Sequence, residues 1–211
     1  MSIARILHLL GSRGIPTFLF GLMAAVGIAE AAGASGPAAF VHHALGAVLW
    51  SMFVVLVNIR PAPRRRGREV LGIAAALVSQ LVFIGVGVLA QDTGAGARVW
   101  IGDALLFAGL VFSIASVAAL GRCFGVLPDV RGLVTRGPYR IVRHPLYLGE
   151  LTSALGLALA ASSVAPALAV WALCVGVQLV RTRYEEKGLR AEFPEYETYA
   201  NGTKRLIPGV V

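Results

Sequence analysis

Two short polar stretches hold most of the side chains in this chain that could bind or transform a charged ligand. The first, GPYRIVRHPLYLGE at 137–150, sets Tyr139, Arg140, Arg143, His144 and Tyr147 at the start of an apolar run. The second, RTRYEEKGLRAEFPEYETY at 181–199, follows another apolar run without a break. If it is helical, Arg181 and Glu185 are i,i+4 neighbours on one face, and Thr182 and Glu186 share the next. Alone, this stretch reads as a solvated helix with an i,i+4 ion pair. The first stretch is more constrained. Pro138-Tyr139 and His144-Pro145 are rigid, because proline fixes φ and restricts the residue before it. They pin Arg143 and His144 just ahead of a helix whose N-terminus adds a positive dipole end. With Glu185 and Glu186 facing them, cations and carboxylates under an apolar roof suit a zwitterionic ligand with a flat ring.

The elements that position these residues follow from composition. Of 211 residues, 57% are hydrophobic and 14% charged, with a mean hydropathy of +0.75. Soluble domains run at roughly 45–50% apolar and about 25% charged. The expected fold is an all-α, polytopic membrane helix bundle of about six spans, with a C-terminal helical hairpin and a cytoplasmic tail helix. Candidate spans are Ile15–Ala32, Ala38–Ile59, Val70–Ala90, Val99–Leu120, Leu146–Ala161 and Ala165–Val180, near the ~20 residues that cross ~30 Å of hydrocarbon. Leu146 to Arg181 is too long for one span, since as a single helix it would run ~54 Å. Ser162-Ser163-Val164-Ala165-Pro166 supplies a break, with Ser able to cap the next helix and Pro166 tolerated in its first turn. A tight hairpin results, and it returns Arg143-His144 and Arg181-Glu185 to one face. The organisation expected is a four-span membrane region over 1–120 and a C-terminal core over 121–211, which the family resemblance given below makes the cofactor-binding catalytic core.

Cation placement sets the orientation, because Lys and Arg resist translocation. With the N-terminus inside, Arg5, Arg13, Arg60 to Arg68, Arg122 to Arg143 and Arg181 to Arg205 are cytoplasmic, and of 19 Lys and Arg only Arg98 falls outside. Both termini are then cytoplasmic. The +8 net charge needs no nucleic acid, since anionic lipid beside a basic inner face accounts for it. Arg64-Arg65-Arg66 reads as a topology anchor and lipid contact. Cys123 and Cys174 are not expected to pair. Glu30 and Asp103 are placed near the outer interface. Neighbours on a helix are ~100° apart, so His42 and His43 are expected to point to different faces. No metal site is expected.

A family resemblance rests on Pro138-Tyr139, Arg143-His144-Pro145, Tyr147 and Gly149, then Glu185-Glu186, Leu189, Phe193, Tyr196, Tyr199, Arg205 and Pro208. Over roughly Leu120 to Val211 the chain resembles the isoprenylcysteine carboxyl methyltransferase family, integral-membrane enzymes related to phospholipid N-methyltransferases. It departs in having Pro194 after Phe193, where the family usually has Gly. The resemblance implies S-adenosylmethionine as cofactor. It places the nucleoside against the backbone around Leu133-Val134 and Pro138-Tyr139, with Tyr147 near the ring. His144 and Arg143 would meet carboxylate or ribose oxygens, and Glu186, with or without Glu185, the ammonium. Gly149 would permit close approach of the cofactor to the helix. Pro145 completes the Arg-His-Pro motif. Arg181 and Glu185 are the candidate catalytic pair, with the Arg181 guanidinium able to grip an acceptor anion.

The reading is a membrane methyltransferase acting on a lipophilic acceptor, whether carboxylate, thiol or amine-headed lipid. A membrane reductase sharing the C-terminal core is an alternative, and so is a non-enzymatic transporter or scaffold. Transport is disfavoured by the lack of a polar pathway through the first four spans and of an inverted repeat. The abundance of Arg over Lys, with many Ala and Gly, points to a GC-rich bacterial genome and hence to the bacterial inner membrane.

Overall fold

The computed structural model describes residues 13–67, 69–89 and 96–207. Arg5, Arg68, Ala90 and Pro208, used in the sequence reading, lie outside them. Helices occupy all six expected places: α1 (Gly14–Ala32), α2 (Pro37–Ile59), α3 (Val70–Leu89), α4 (Ala97–Leu120), α5 (Pro145–Ala160) and α6 (Val164–Glu192), followed by a short α7 (Tyr196–Gly202). Among the described residues the only β-type pairings are two isolated bridges. α1, α2, α4 and α6 are long and apolar enough to cross a membrane, whereas α5 and the Val70–Phe83 part of α3 are shorter. Phe18, Leu22, Ile28, Trp100 and Leu173 are exposed on these helices, as suits a protein whose solvent there is lipid.

The helices lie side by side in the order α1, α2, α4, α5, α6, α3, with the closest packing between α4 and α5. Small residues make that approach possible. A Cβ on Gly102 would sit 2.6 Å from the Gly156 carbonyl, and one on Gly109 would sit 2.6 Å from the Gly149 carbonyl. Such interfaces hold membrane helices together by close packing, because lipid offers no hydrophobic drive. Ser153 Oγ adds a bond to the Leu106 carbonyl at 3.3 Å. Between α1, α2 and the segment after α4, Phe20 stacks on Trp50 and Phe53 stacks on Phe124.

The α5–α6 hairpin forms as expected, turning over 161–163. One detail differs: Ser163 takes the N-cap position of α6, but its hydroxyl makes no capping bond. Ser162 and Ser163 are exposed, so water can serve the free amides there. The carbonyl end of α5 is covered instead by Arg98, whose guanidinium donates to the Leu159 and Ala161 carbonyls, both at 2.7 Å. Cys123 and Cys174 are free thiols. His42 and His43 do not diverge. Their rings stack with centroids 4.8 Å apart, and His43 Nδ1 lies 3.0 Å from Glu30 of α1; side-chain torsions bring the rings together despite the angle between their Cα directions.

α6 has 29 residues and would run ~43 Å, more than a bilayer's hydrocarbon needs. Its polar last turns, from Arg181 onward, therefore continue past the apolar part and carry the second polar stretch to the start of α5.

Candidate functional site

Two glycines set up the segment between α4 and α5. Gly121 stops α4 at φ +53°, and Gly137 starts the 3₁₀ turn Gly137–Arg140 at φ +60°. Both lie in the left-handed region that glycine enters without a Cβ penalty. The turn then delivers Arg143 and His144 to the N-terminus of α5, with Pro145 at its first position.

The chain after α7 straps this corner down. Arg143 N and His144 N donate to the Lys204 and Arg205 carbonyls, at 2.7 and 3.1 Å. Arg143 NH1 donates to the Ala200 and Thr203 carbonyls, and Tyr199 OH to the Tyr139 carbonyl at 2.6 Å. Both halves of the Arg143-His144 pair are thus fixed by backbone groups distant in sequence.

At the centre is Glu186, 0% exposed. Its carboxylate accepts from Arg143 Nε at 2.9 Å and from Arg205 Nε and NH2 at 3.0 and 2.9 Å. His144 Nε2 lies 3.3 Å away and Arg190 NH1 3.5 Å. A buried carboxylate is tolerable when paired and hydrogen-bonded in this way. Above it, Glu185 Oε1 accepts from Tyr147 OH at 2.5 Å and from Arg181 Nε at 3.0 Å. Glu185 Oε2 is 3.8 Å from His144 Nδ1. The Arg181 guanidinium, 3% exposed, also donates to Ser79 Oγ at 3.2 Å and the Val126 carbonyl at 3.0 Å, and lies 4.7 Å over the Tyr147 ring. Tyr147 in turn stacks on His144.

Several of these groups border a half-open cleft of about 110 Å³. Of the twelve residues given a site role from sequence, Leu133, Val134, Tyr139, Arg143, His144, Tyr147 and Glu185 line it, as do Leu189, Tyr196 and Tyr199 of the family pattern. Five do not. Pro138 and Pro145 shape the corner behind the wall, Arg181 is held beneath it, and Glu186 is engaged by cations. Gly149 faces α4, where a Cβ would lie 2.9 Å from Gly109 O and Ser113 N. Its small size therefore serves helix packing, which corrects the expectation of close approach by a ligand. The acceptor-gripping role expected of Arg181 finds its guanidinium already engaged by protein groups.

Sequence reasoning missed the loop 123–132, which forms the far wall through Phe124, Leu127, Asp129 and Arg131 among others. Its only signal was the turn-forming Pro128-Asp129 pair. Asp129 holds Arg131 at 3.2 Å, and Arg131 Nε reaches the Pro61 carbonyl. Two polar atoms of cleft-lining residues, Arg131 NH1 and Tyr196 OH, are buried without a hydrogen-bond partner. Burial raises the Tyr139 phenol, with the neighbouring Glu185 charge adding to it. Burial likewise raises Tyr196, and it pushes Tyr199 up to about 12. The bonds Arg205 donates to Glu186 raise its guanidinium above the usual value. These shifts keep the tyrosines neutral and able to donate.

Residues 97–195, which include α4, the loop, the hairpin and most of the polar cluster, match the phospholipid methyltransferase family. Among curated proteins, the chain is 36% identical over 117 residues to the cobalt-zinc-cadmium resistance protein CzcN of Cupriavidus metallidurans, covering 52% of this chain and 51% of that one. It is 34% identical over 115 residues to the nickel-cobalt-cadmium resistance protein NccN of Alcaligenes xylosoxydans xylosoxydans, covering 52% of each. It is also 33% identical over 116 residues to protein-S-isoprenylcysteine O-methyltransferase A of Arabidopsis thaliana, covering 50% of this chain and 57% of that one. The chain thus spans about half the length of the curated relatives it matches. Two of these names refer to metals. Among the described residues, no group of three or more His, Cys, Asp or Glu could hold a metal ion. The phospholipid methyltransferase match falls on the part of the chain that builds the cleft.

Proposed function

We propose that this chain is an integral-membrane methyltransferase that moves a methyl group from S-adenosylmethionine to a lipophilic acceptor at the cytoplasmic face of a bacterial inner membrane. One observation carries the reading: within the family-matched segment, His144, Arg143, Glu185 and two tyrosines converge on one cleft at the polar end of the hairpin.

The donor set fits the cofactor. Glu185 offers a carboxylate for an ammonium, Arg143 and His144 offer donors for a carboxylate or ribose, and Arg131 NH1 and Tyr196 OH are buried donors with no protein partner. The backbone of Leu133-Val134 and the Tyr139 and Tyr147 side chains would hold the nucleoside. The cleft's 110 Å³ is below the ~300–1,000 Å³ of ordinary ligand sites, so the cofactor would also occupy the mouth between the loop and the Tyr196–Tyr199 turn.

When bound, S-adenosylmethionine supplies an electrophilic methyl group on a cationic sulfonium. The residues here supply position and dryness. Leu120, Phe124, Leu127, Leu146 and Leu189 make an apolar lining that keeps water from the reacting atoms. Orientation by Arg143, His144 and Glu185 replaces entropy that a reaction in solution would have to overcome. Arg181 acts through Glu185 and Tyr147, which it positions. A carboxylate acceptor needs no base, whereas an amine or thiol would pass its proton to Glu185 or His144.

The test is to incubate membranes containing the full chain with methyl-labelled S-adenosylmethionine and extract the lipids. Label in an organic-soluble product, lost with His144→Ala, supports the proposal. Label that never exceeds membranes lacking the chain contradicts it.

A further inference from the structure

Across the Leu127–Arg131 loop from the cleft lies a second concave surface of about 520 Å³, walled by Arg64, Arg65, Arg66, Pro128, Tyr184 and Lys187. Four cations there face a single lining carboxylate, Glu69, already paired with Lys187 at 2.7 Å. Among the described residues, no carboxylate pairs with Arg64, Arg65 or Arg66, and all three are exposed. Arg64 lies 5.6 Å over the Phe193 ring. This groove plays no part in holding the proposed cofactor.

The arginine run is fixed by its backbone. Arg64 N and Arg65 N donate to the Val130 carbonyl at 2.9 and 3.3 Å, and Val130 N returns a bond to Arg65 O at 2.9 Å. Gly67 N donates to Asp129 Oδ1 at 3.1 Å, and Gly67 sits so close that a Cβ would lie 2.7 Å from the Pro128 carbonyl. A flexible positive-inside flank would need none of this. The guanidinium forks are left to the groove, where they match phosphate oxygens.

Placement favours a lipid as the source of phosphate. Exposed apolar side chains bracket the run: Ile59 closes α2, and Val70 and Leu71 open α3. The arginines therefore sit where hydrocarbon gives way to headgroups. Pro128 and Val130 line both the groove and the cleft, so whatever fills the one bears on the other.

We propose that this groove binds the phosphate of an anionic phospholipid headgroup, and that the bound headgroup steadies the Leu127–Arg131 loop forming one wall of the cleft. This inference does not depend on methyl transfer, and its test reads binding and loop protection alone. The full chain, delipidated in a maltoside detergent, is titrated with phosphatidylglycerol, with phosphatidylcholine of the same chain length, or with inorganic phosphate. Thermal midpoint and amide exchange at 127–131 are followed. Phosphatidylglycerol should raise the midpoint and slow exchange about threefold or more, with little response to the other two. Arg65→Gln with Arg66→Gln should raise the half-saturating phosphatidylglycerol concentration about tenfold or more without altering the lipid-free midpoint. If that pair fails to fold, Arg66→Gln alone carries the test. Arg183→Gln, an exposed α6 cation outside the groove, should change nothing. An equal response to phosphatidylcholine, reproduction by inorganic phosphate, or equal damage from Arg183→Gln would overturn the proposal.

Discussion

Glu186 and Arg205 meet in a two-bonded fork, Nε to Oε1 at 3.0 Å and NH2 to Oε2 at 2.9 Å. This pair ties the last turns of α6 to the strap whose backbone holds Arg143 and His144. Glu186→Gln leaves several cations around a neutral amide, so stability should fall by about 3–5 kcal/mol. The thermal midpoint in detergent, read without any ligand, checks this. A midpoint unchanged from the parent would mean that the cluster does not hold the corner together.

Glu185 and His144 border the cleft. His144→Ala and Glu185→Gln should each weaken S-adenosylhomocysteine binding about tenfold or more, the cost of one hydrogen bond to a charged group. The loss of stability in Glu185→Gln should be smaller than that in Glu186→Gln, since Glu185 is partly exposed. Ligand titration and melting on the same preparations separate the two effects.

Gly149→Ala tests the role of α5's small residues. The added methyl meets Gly109 O and Ser113 N at 2.9 Å, which should cost about 1–3 kcal/mol of stability through overpacking. Protein that remains folded should bind S-adenosylhomocysteine as the parent does. Selective loss of affinity at an unchanged melting point would return Gly149 to the ligand site.

Alkaline titration reads the buried phenols of Tyr139 and Tyr196 and the half-buried phenol of Tyr199. Their folded values are raised, so the stability they contribute is complete below the ordinary phenol value near 10. It is lost as pH rises through about 12 for Tyr199, and higher for Tyr139 and Tyr196. Tyr199→Phe should remove a step near pH 12 in the phenolate absorbance. A difference spectrum that places that step near pH 10 would mean that Tyr199 is not shielded from water as its half-buried position requires.

The helix positions, the hairpin and the convergence of the two polar stretches were legible in the sequence, because they rest on hydropathy, on the length of 146–181 and on i,i+4 spacing. Which acid faces which partner was not. Glu185 and Glu186 are adjacent and alike in type, yet α6 turns one toward the cleft and buries the other. That choice depends on Arg205 and on strap bonds to 143 and 144 with no local pattern. Gly149 misled for a similar reason, since a glycine one turn into a helix looks the same whether a ligand or another helix approaches it. The loop 123–132 has no periodicity, and its place is set by long-range backbone bonds to 64 and 65.

Calorimetric titration of the detergent-purified full chain with S-adenosylhomocysteine tests the central claim most directly. Saturable binding near one site per chain, weakened about tenfold by His144→Ala, is the predicted result. No heat at several temperatures, from protein that still melts cooperatively, would contradict the assignment of this cleft to the cofactor.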